Sequence, residues 1–479
     1  MSKYVSISSI SSSLVGQSIQ LKGWIDSIRF SKKTIFVKLY DSWRSHLIPF
    51  QIVFDLTKFS EEQKLNLSKL SASCSICVSG ILIESPKAAQ PFELQASEFK
   101  IYGLISDPAT FPIAKIDLSL EYLRTYPSIE CLSLTKSVIY GIRSIILQSI
   151  EKFFEKEEFT KTDMPLITFS ECEGGCQPLQ VTQYFSSGEL KDITKIDFSK
   201  DFFGRKAFIT VSSQLELETQ LPLGKVWTMT RAVRGEPSLT SRHLAEFSML
   251  EFEIPFIESA KDVRDITEKL IQNIISYVLD DKYGKLALEY LSKKHSLPII
   301  EKLTGFIKKP FDVISHRDAV SLLLKQQIEK KITFVKSPEY SDDLGTEHER
   351  YLADVYFAHP VIVTEYPKNV KAFYMPVSGT FEAPDGKHIE YVDCFDILVP
   401  GIGELVGGSA RIHELDELEK RIYDIGLSPQ PLEFYTLIRK YGTQKHGGMG
   451  LGLERLVNLI TCAGSVRDCV AYPRFYQSK

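Results

Sequence analysis

A chain of 479 residues with 43% apolar and 25% charged residues has the make-up of a globular protein of two or three domains, which excludes the disordered and fibrous classes. Its net charge of −4 argues against a generic nucleic-acid binder while leaving room for a localised basic face. The longest apolar runs, 139–150 and 398–406, are interrupted by Arg143 and by proline, glycine and Glu404, so no membrane helix is expected.

The first residues, MSKYVSISSISSSLVGQ, contain no apolar core of a secretory signal and almost no arginine. A cytoplasmic protein is expected, with an organellar one as the alternative. Cysteines stand at 74, 77, 131, 172, 176, 394, 462 and 469, and Cys74-x-x-Cys77 has no second pair at zinc-finger spacing, which favours reduced, packed thiols. Residues 1–105 read as all-β. Runs at 18–26, 34–40, 48–54, 74–83 and 92–102 give five strands, with the helix-like EEQKLNLSKL between the third and fourth, the arrangement of an OB-fold barrel. Arg29, Phe36 and Gln51 fall on its first three strands. A base stacked on Phe36, its edge read by Arg29 and Gln51, is one reading; a core position for Phe36 is the other.

Prolines 108 and 112 mark a linker over 106–133, and a second domain runs over 134–479. The stretch 134–158 places Val138, Ile142, Ile145, Ile146, Ile150, Phe153 and Phe154 at helical spacing, and a strand ending at Pro165 follows. That stripe serves a dimer seam or the core of one chain. The turn Glu171-Cys-Glu173-Gly-Gly-Cys-Gln177 sets acids beside flexible glycines, suited to an ammonium group or simply to a turn. A strand at 207–212 leads through Ser212-Ser213-Gln214 into a helix.

Two strand-like runs, 226–234 and 247–254, then flank a Gly-Pro-Ser loop as an antiparallel hairpin. Either its charges form a solvated sheet face, or Arg234 and Arg242 take phosphates, Glu236 accepts from an amine and Phe247 stacks on a base. Helical periodicity with Lys and Glu decoration fills about 258–345, an insertion without evident chemistry. Further strands are expected at 360–368 and 389–399. After them Asp396, Glu404 and Ser409 offer hard oxygen ligands of the kind Mg²⁺ takes when it also holds phosphates. A glycine-rich strand from His446 feeds a helix with Arg455 in its first turn, where the helix terminus already favours anions.

Taken together, these motifs resemble the class II aminoacyl-tRNA synthetases of the aspartate/asparagine/lysine subgroup, bacterial-type asparaginyl enzymes above all. The resemblance runs nearly end to end through GWIDSIRFSKKTIFVKLYD, DFFGRKAFITVSSQLELE, VRGEPSLTSRHLAEFSMLEFE, TEHERYLAD, VTEYPKNVKAFYM, ILVPGIGELVGGS and HGGMGLGLERLV. It implies an α+β homodimer with an anticodon-binding OB barrel and a catalytic domain built on an antiparallel sheet. It also implies ATP-dependent ligation of L-asparagine to tRNA(Asn) through an asparaginyl-adenylate. Carried residue by residue, Arg234 holds the α-phosphate of ATP, Glu236 faces the adenine amine, Arg242 and His243 reach the outer phosphates, and Phe247 and Arg455 sandwich the adenine. Glu404, with Asp396, binds Mg²⁺. Glu173 and Gln214 hold the ammonium and carboxylate of the amino acid, and Arg411 its side-chain carbonyl.

Asparagine over aspartate rests on Leu217, where aspartyl relatives carry a lysine, and on the Ile402-Gly403-Glu404 and Tyr366-Pro367-Lys368 segments. Departures from the asparaginyl pattern are Gly-Gly-Ser-Ala-Arg-Ile-His at 407–413, Pro376 with an insertion to Lys387, and Gln177 in place of an acid. An aspartyl enzyme, or a paralogue of altered specificity, is the alternative. A tRNA-binding protein without activation chemistry is expected to lack one of the phosphate arginines, and Arg234, Arg242 and Arg455 are all present.

Overall fold

The computed structural model describes residues 3–85, 90–113, 118–170, 178–183 and 197–478. The chain forms two compact units, 1–144 with 282–291, and 145–281 with 292–479.

In the first unit, strand Ser18–Phe30 pairs on one side with Thr34–Tyr40 and on the other with Ser75–Glu84, while Phe50–Asp55 and Phe92–Gly103 complete the circuit. Closure removes the free edges that an open sheet would expose. Alternation decides what fills it: Ile35, Val37 and Leu39 point into the barrel core with Leu21, Ile52, Ile76 and Val78. Each such side chain contributes about 1.5–3 kcal/mol of burial. Helix Glu61–Leu67 starts where Ser60 and Gln63 cap each other reciprocally. The expected five strands and their intervening helix are therefore present, and the whole is an OB-like barrel within an α+β fold.

Helix Trp43–Leu47 packs His46 flat on Tyr40, ring centroids 3.7 Å apart, and burial pushes the His46 imidazole down to about 4. The folded state thus requires the neutral ring. Its contribution is complete above the unfolded value near 6.5 and is lost as pH falls toward 4, a loss of about 2–3 kcal/mol between pH 7 and 4.5. Urea melts followed by tryptophan fluorescence check this, since His46→Phe, which keeps the stacking, is expected to flatten that pH dependence.

The second unit is organised on an eight-stranded sheet. Its order is Asp312–Ser315, Val361–Thr364, Cys394–Val399, Gly403–Ala410, His446–Gly452, Glu246–Pro255, Val226–Val233 and Thr160–Lys161. The six central strands are antiparallel and the two edge strands pair parallel. The charged hairpin forms as expected, in register from Val226 opposite Glu253 to Val233 opposite Glu246. In strand His446–Gly452, Gly447 leaves room for its neighbours: a Cβ there would meet Val263 Cγ2 of helix Ala260–Asp280 at 2.9 Å and Ile257 Cδ1 at 2.8 Å.

Three expectations change. The run 389–399 is broken at Asp393, so His388–Val392 pairs with Val377–Glu382 in a separate hairpin and only Cys394–Val399 enters the main sheet. The segment 258–345 is helical only over Ala260–Asp280, Lys282–His295, Ile299–Ile307 and His316–Ile328; Asp312–Ser315 forms a sheet edge, and 329–345 is irregular. Pro165 lies beyond a strand of only two residues, Thr160–Lys161. The apolar stripe of helix Leu134–Lys156 is buried within the single chain, with Phe154 stacked on Trp227 at 4.6 Å. Among the described residues the cysteines are free thiols, Cys74, Cys77, Cys394 and Cys469 buried.

Candidate active site

The two inner strands of the hairpin and glycine strand carry their side chains to a cavity of about 320 Å³ on the sheet. Gln214, Arg234, Glu236, Arg242, His243, Phe247, Asp396, Glu404, Arg411 and Arg455 all line it. Ten positions scattered over half the sequence thus meet at one place. Glu173 lies outside the described residues.

Local structure explains how each is delivered. Arg234 N–H donates to Ala245 O at 2.9 Å where the hairpin strands end, and the Arg234 guanidinium lies 5.5 Å from the centre of the Phe247 ring. Arg234 and Glu236 stand in the connection and not on the strand. Arg455 is the third residue of helix Leu453–Thr461 and donates through Nη1 to Glu404 O at 2.8 Å and to Glu404 Oε2 at 3.4 Å. Burial would raise the Glu404 carboxyl, but Arg455, Lys371 and Arg234 outweigh it and hold the group below the usual carboxylate range. Burial, with Arg455 beyond it, lowers the His243 imidazole, so this ring stands neutral beside three guanidiniums.

Lys371, which lines the cavity, and Glu349 and Gly403, which pack against residues that do, carried no assigned role in the sequence. Lys371, within the VTEYPKNVKAFYM segment, places Nζ 2.6 Å from Asp396 Oδ2 and 3.8 Å from the centre of the Tyr366 ring. Burial pushes the Asp396 carboxyl up to about 6 against the pull of that ammonium. Glu349, within TEHERYLAD, holds Arg242 Nη2 at 3.3 Å and accepts from Glu404 N–H at 3.3 Å. Burial, then the Glu404 charge, raises it. Gly403 sits against this pair with φ +84°, and a Cβ there would stand 2.6 Å from both Arg242 Nη2 and Glu349 Oε2.

The hairpin's inner carboxylates are no solvated face. Glu251 accepts from the Ser213 N–H at 3.0 Å and lines the cavity; Glu253 is buried and holds Arg411 Nη2 at 2.6 Å. Leu217 does not line the cavity: it is fully buried against Leu221, Val226 and Met164. The position therefore presents no cation to the cavity. The insertion begins directly after cavity-lining Met375 and folds as the hairpin of Val377–Glu382 with His388–Val392.

On the barrel, Phe36 is half-buried outside the core, with the Arg29 guanidinium 4.8 Å from its ring centre. Gln51 donates to Glu93 Oε2 at 2.9 Å, a partner unnoticed in the sequence. Arg29, Phe36 and Gln51 share the barrel's outer surface.

The family described as tRNA synthetases class II (D, K and N) matches residues 120–476. The chain belongs to it. An asparagine–tRNA ligase of Photobacterium profundum is 37% identical to this synthetase over 465 residues, covering 96% of this chain and 95% of its own. One of Cytophaga hutchinsonii is 37% identical over 476 residues, with 98% and 97% covered. Asparaginyl-tRNA synthetase of Pyrococcus horikoshii, solved with asparaginyl-adenylate, superposes with a TM-score of 0.83 at 27% identity over the full length of both chains. No helix among the described residues of the synthetase is long and apolar enough to cross a membrane.

Proposed function

We propose that the synthetase activates L-asparagine with ATP and transfers it to tRNA(Asn). The observation that carries this is the gathering of Arg234, Arg242 and Arg455, with Phe247, Gln214 and Arg411, around one cavity. Cations and an aromatic face suit a nucleotide triphosphate; a buried amide and guanidinium suit a small polar amino acid.

The amino-acid carboxylate is already ionised, so attack on the α-phosphorus needs no general base. What must be done is to bring two anions together in line and to meet the charge that develops, which is work for fixed guanidiniums. Arg234 takes the α-phosphate; Arg242 and His243 take the outer phosphates; Phe247 and Arg455 enclose the adenine, with Glu236 at its amine. Gln214 and Glu173 hold the α-carboxylate and ammonium ends of the substrate. Pyrophosphate leaves, and the terminal 3′-hydroxyl of the tRNA then attacks the carbonyl carbon of the adenylate, the ester forming as the acyl–phosphate bond breaks and AMP and a proton are released.

Glu404 fits Mg²⁺, its side chain 40% exposed to the cavity and held ionised by arginines. Asp396 fits less directly, because Lys371 already occupies its carboxylate at 2.6 Å. When bound, Mg²⁺ supplies charge neutralisation on the phosphates. The barrel residues Arg29, Phe36 and Gln51 bind the GUU anticodon. Residues 1–105 form the anticodon domain, 106–133 a linker and 134–479 the catalytic domain. A cytoplasmic homodimer completes the assignment, checked by sedimentation.

ATP–pyrophosphate exchange with purified enzyme tests the reading. Exchange with asparagine and not aspartate, followed by charging of tRNA(Asn), is expected; exchange with aspartate alone overturns the specificity, and exchange with no amino acid overturns the activity. In the same assay Gly403→Ala is expected to raise KM for ATP about tenfold, since the added methyl pushes Arg242 off Glu349 and the residue is strained at positive φ. KM for asparagine stays within about twofold.

A further inference from the structure

The loop that joins strands Val226–Val233 and Glu246–Pro255 carries Arg242 and His243 to the cavity, yet it has little packing of its own. Gly235, Glu236, Pro237, Leu239, Thr240 and Ser241 are all exposed. With so little apolar burial, hydrogen bonds decide where such a loop stands. Four of them come from the stretch 465–474, which follows helix Leu453–Thr461. Val466 N–H donates to Ser241 O at 3.0 Å, and Ser465 Oγ donates to the same oxygen at 3.3 Å. Arg467 Nη2 donates to Thr240 O at 3.0 Å, and Arg474 O accepts from Ala245 N–H at 2.8 Å.

Thr240 is the pivot of the loop. Its hydroxyl lies 2.5 Å from His243 Nδ1 and accepts from Arg242 N–H at 3.4 Å, while its carbonyl accepts from His243 N–H at 3.5 Å as well as from Arg467. Whatever fixes Thr240 therefore fixes both phosphate-facing residues. Arg467 is itself held, with its guanidinium 4.1 Å from the centre of the Phe475 ring and its backbone N–H donating to Ser465 Oγ at 3.3 Å. Ser465 and Val466 are buried, so the anchor is part of the scaffold. Because this stretch grows from the helix that delivers Arg455, the same element places Arg455 and ties down the loop that bears Arg242. Arg467 does not line the cavity, and its effect passes through the loop.

We propose that Arg467 is a positioning residue for the outer phosphates of ATP: with Ser465 it clamps Thr240 and Ser241, and so holds Arg242 and His243 at the spacing those phosphates require. This rests on Arg242 and His243 contacting the outer phosphates. Arg467→Met keeps an aliphatic stem on Phe475 and removes the donors. In ATP–pyrophosphate exchange it is expected to raise KM for ATP and KM for pyrophosphate each about tenfold, since the phosphates that Arg242 and His243 hold are the ones that leave. KM for asparagine, and inhibition by AMP, which lacks the outer phosphates, stay within about twofold.

A merely structural role lowers the active fraction and kcat and moves neither phosphate-dependent KM. That result overturns the proposal, as does an equal rise in KM for asparagine or in the AMP inhibition constant. Should Arg467→Met not fold, Ser465→Ala, which leaves every charge in place, is read by the same constants, with a rise of about threefold expected for ATP and pyrophosphate. Arg242→Met runs in parallel. If it leaves KM for ATP unmoved, the assignment of the outer-phosphate site itself falls. If it moves that constant and Arg467→Met does not, only the role of Arg467 falls.

Discussion

Replacing Arg234 by alanine is expected to lower asparagine-dependent ATP–pyrophosphate exchange about a thousandfold, or about 4 kcal/mol of transition-state stabilisation. The physical case is positional. Arg234 follows directly on strand Val226–Val233, its backbone closes the hairpin against Ala245, and its guanidinium is set by the Phe247 ring below it. A donor pre-positioned this way costs no reorganisation when charge grows on the α-phosphate. Arg234→Lys keeps the charge but loses the planar, forked donor set, and is expected to recover only about a tenth of the lost activity. The fold is not at stake, because the side chain is only half-buried at the cavity mouth, so thermal melting should stay near that of the parent. Activity within tenfold of the parent in the alanine variant takes Arg234 out of the phosphate-binding set.

How this site could be read in the sequence depended on how local each signal was. The charged hairpin is a local pattern: strand alternation, a Gly-Pro-Ser loop and a return strand lie in one stretch, and the structure pairs them in that register. Arg455 was equally visible, since a glycine strand and a helix start are adjacent. Closure of the barrel followed from five alternating runs. What alternation could not carry was partnership at a distance. Lys371 gripping Asp396, Glu349 steadying Arg242 and Glu93 holding Gln51 each join segments whose local patterns are unremarkable. Asp312–Ser315 escaped notice because a four-residue parallel edge strand set between helices leaves no period to read. Leu217 shows the converse. The resemblance marks it as the position where aspartyl relatives carry a lysine, and in this chain the side chain packs into the core.

The second large effect concerns Arg411, in which fold and chemistry coincide. Its side chain is 2% exposed and holds Glu253 at 2.6 Å, with Glu218 at 3.7 Å. Arg411→Met leaves the Glu253 carboxylate buried without its cation, at a cost of about 3–5 kcal/mol. Burial already pushes Glu253 up to about 8 in the intact network, and loss of the arginine pushes it further. Parent and variant both hold a Glu253 proton that the unfolded chain releases above about 4.5, but only the variant keeps it above about pH 8, so its stability goes on falling as pH rises from 8 to about 9.5 while the parent's levels off. Urea melts across that range measure the slope. Arg411→Met with Glu253→Gln removes the stranded charge, and is expected to recover most of the stability and to flatten the slope. Asparagine-dependent exchange is expected to stay at least a hundredfold down in both variants, because neither restores a guanidinium to the cavity. Recovery of exchange in the double variant would assign Arg411 to the scaffold alone; loss of exchange in a stably folded double variant separates its two roles.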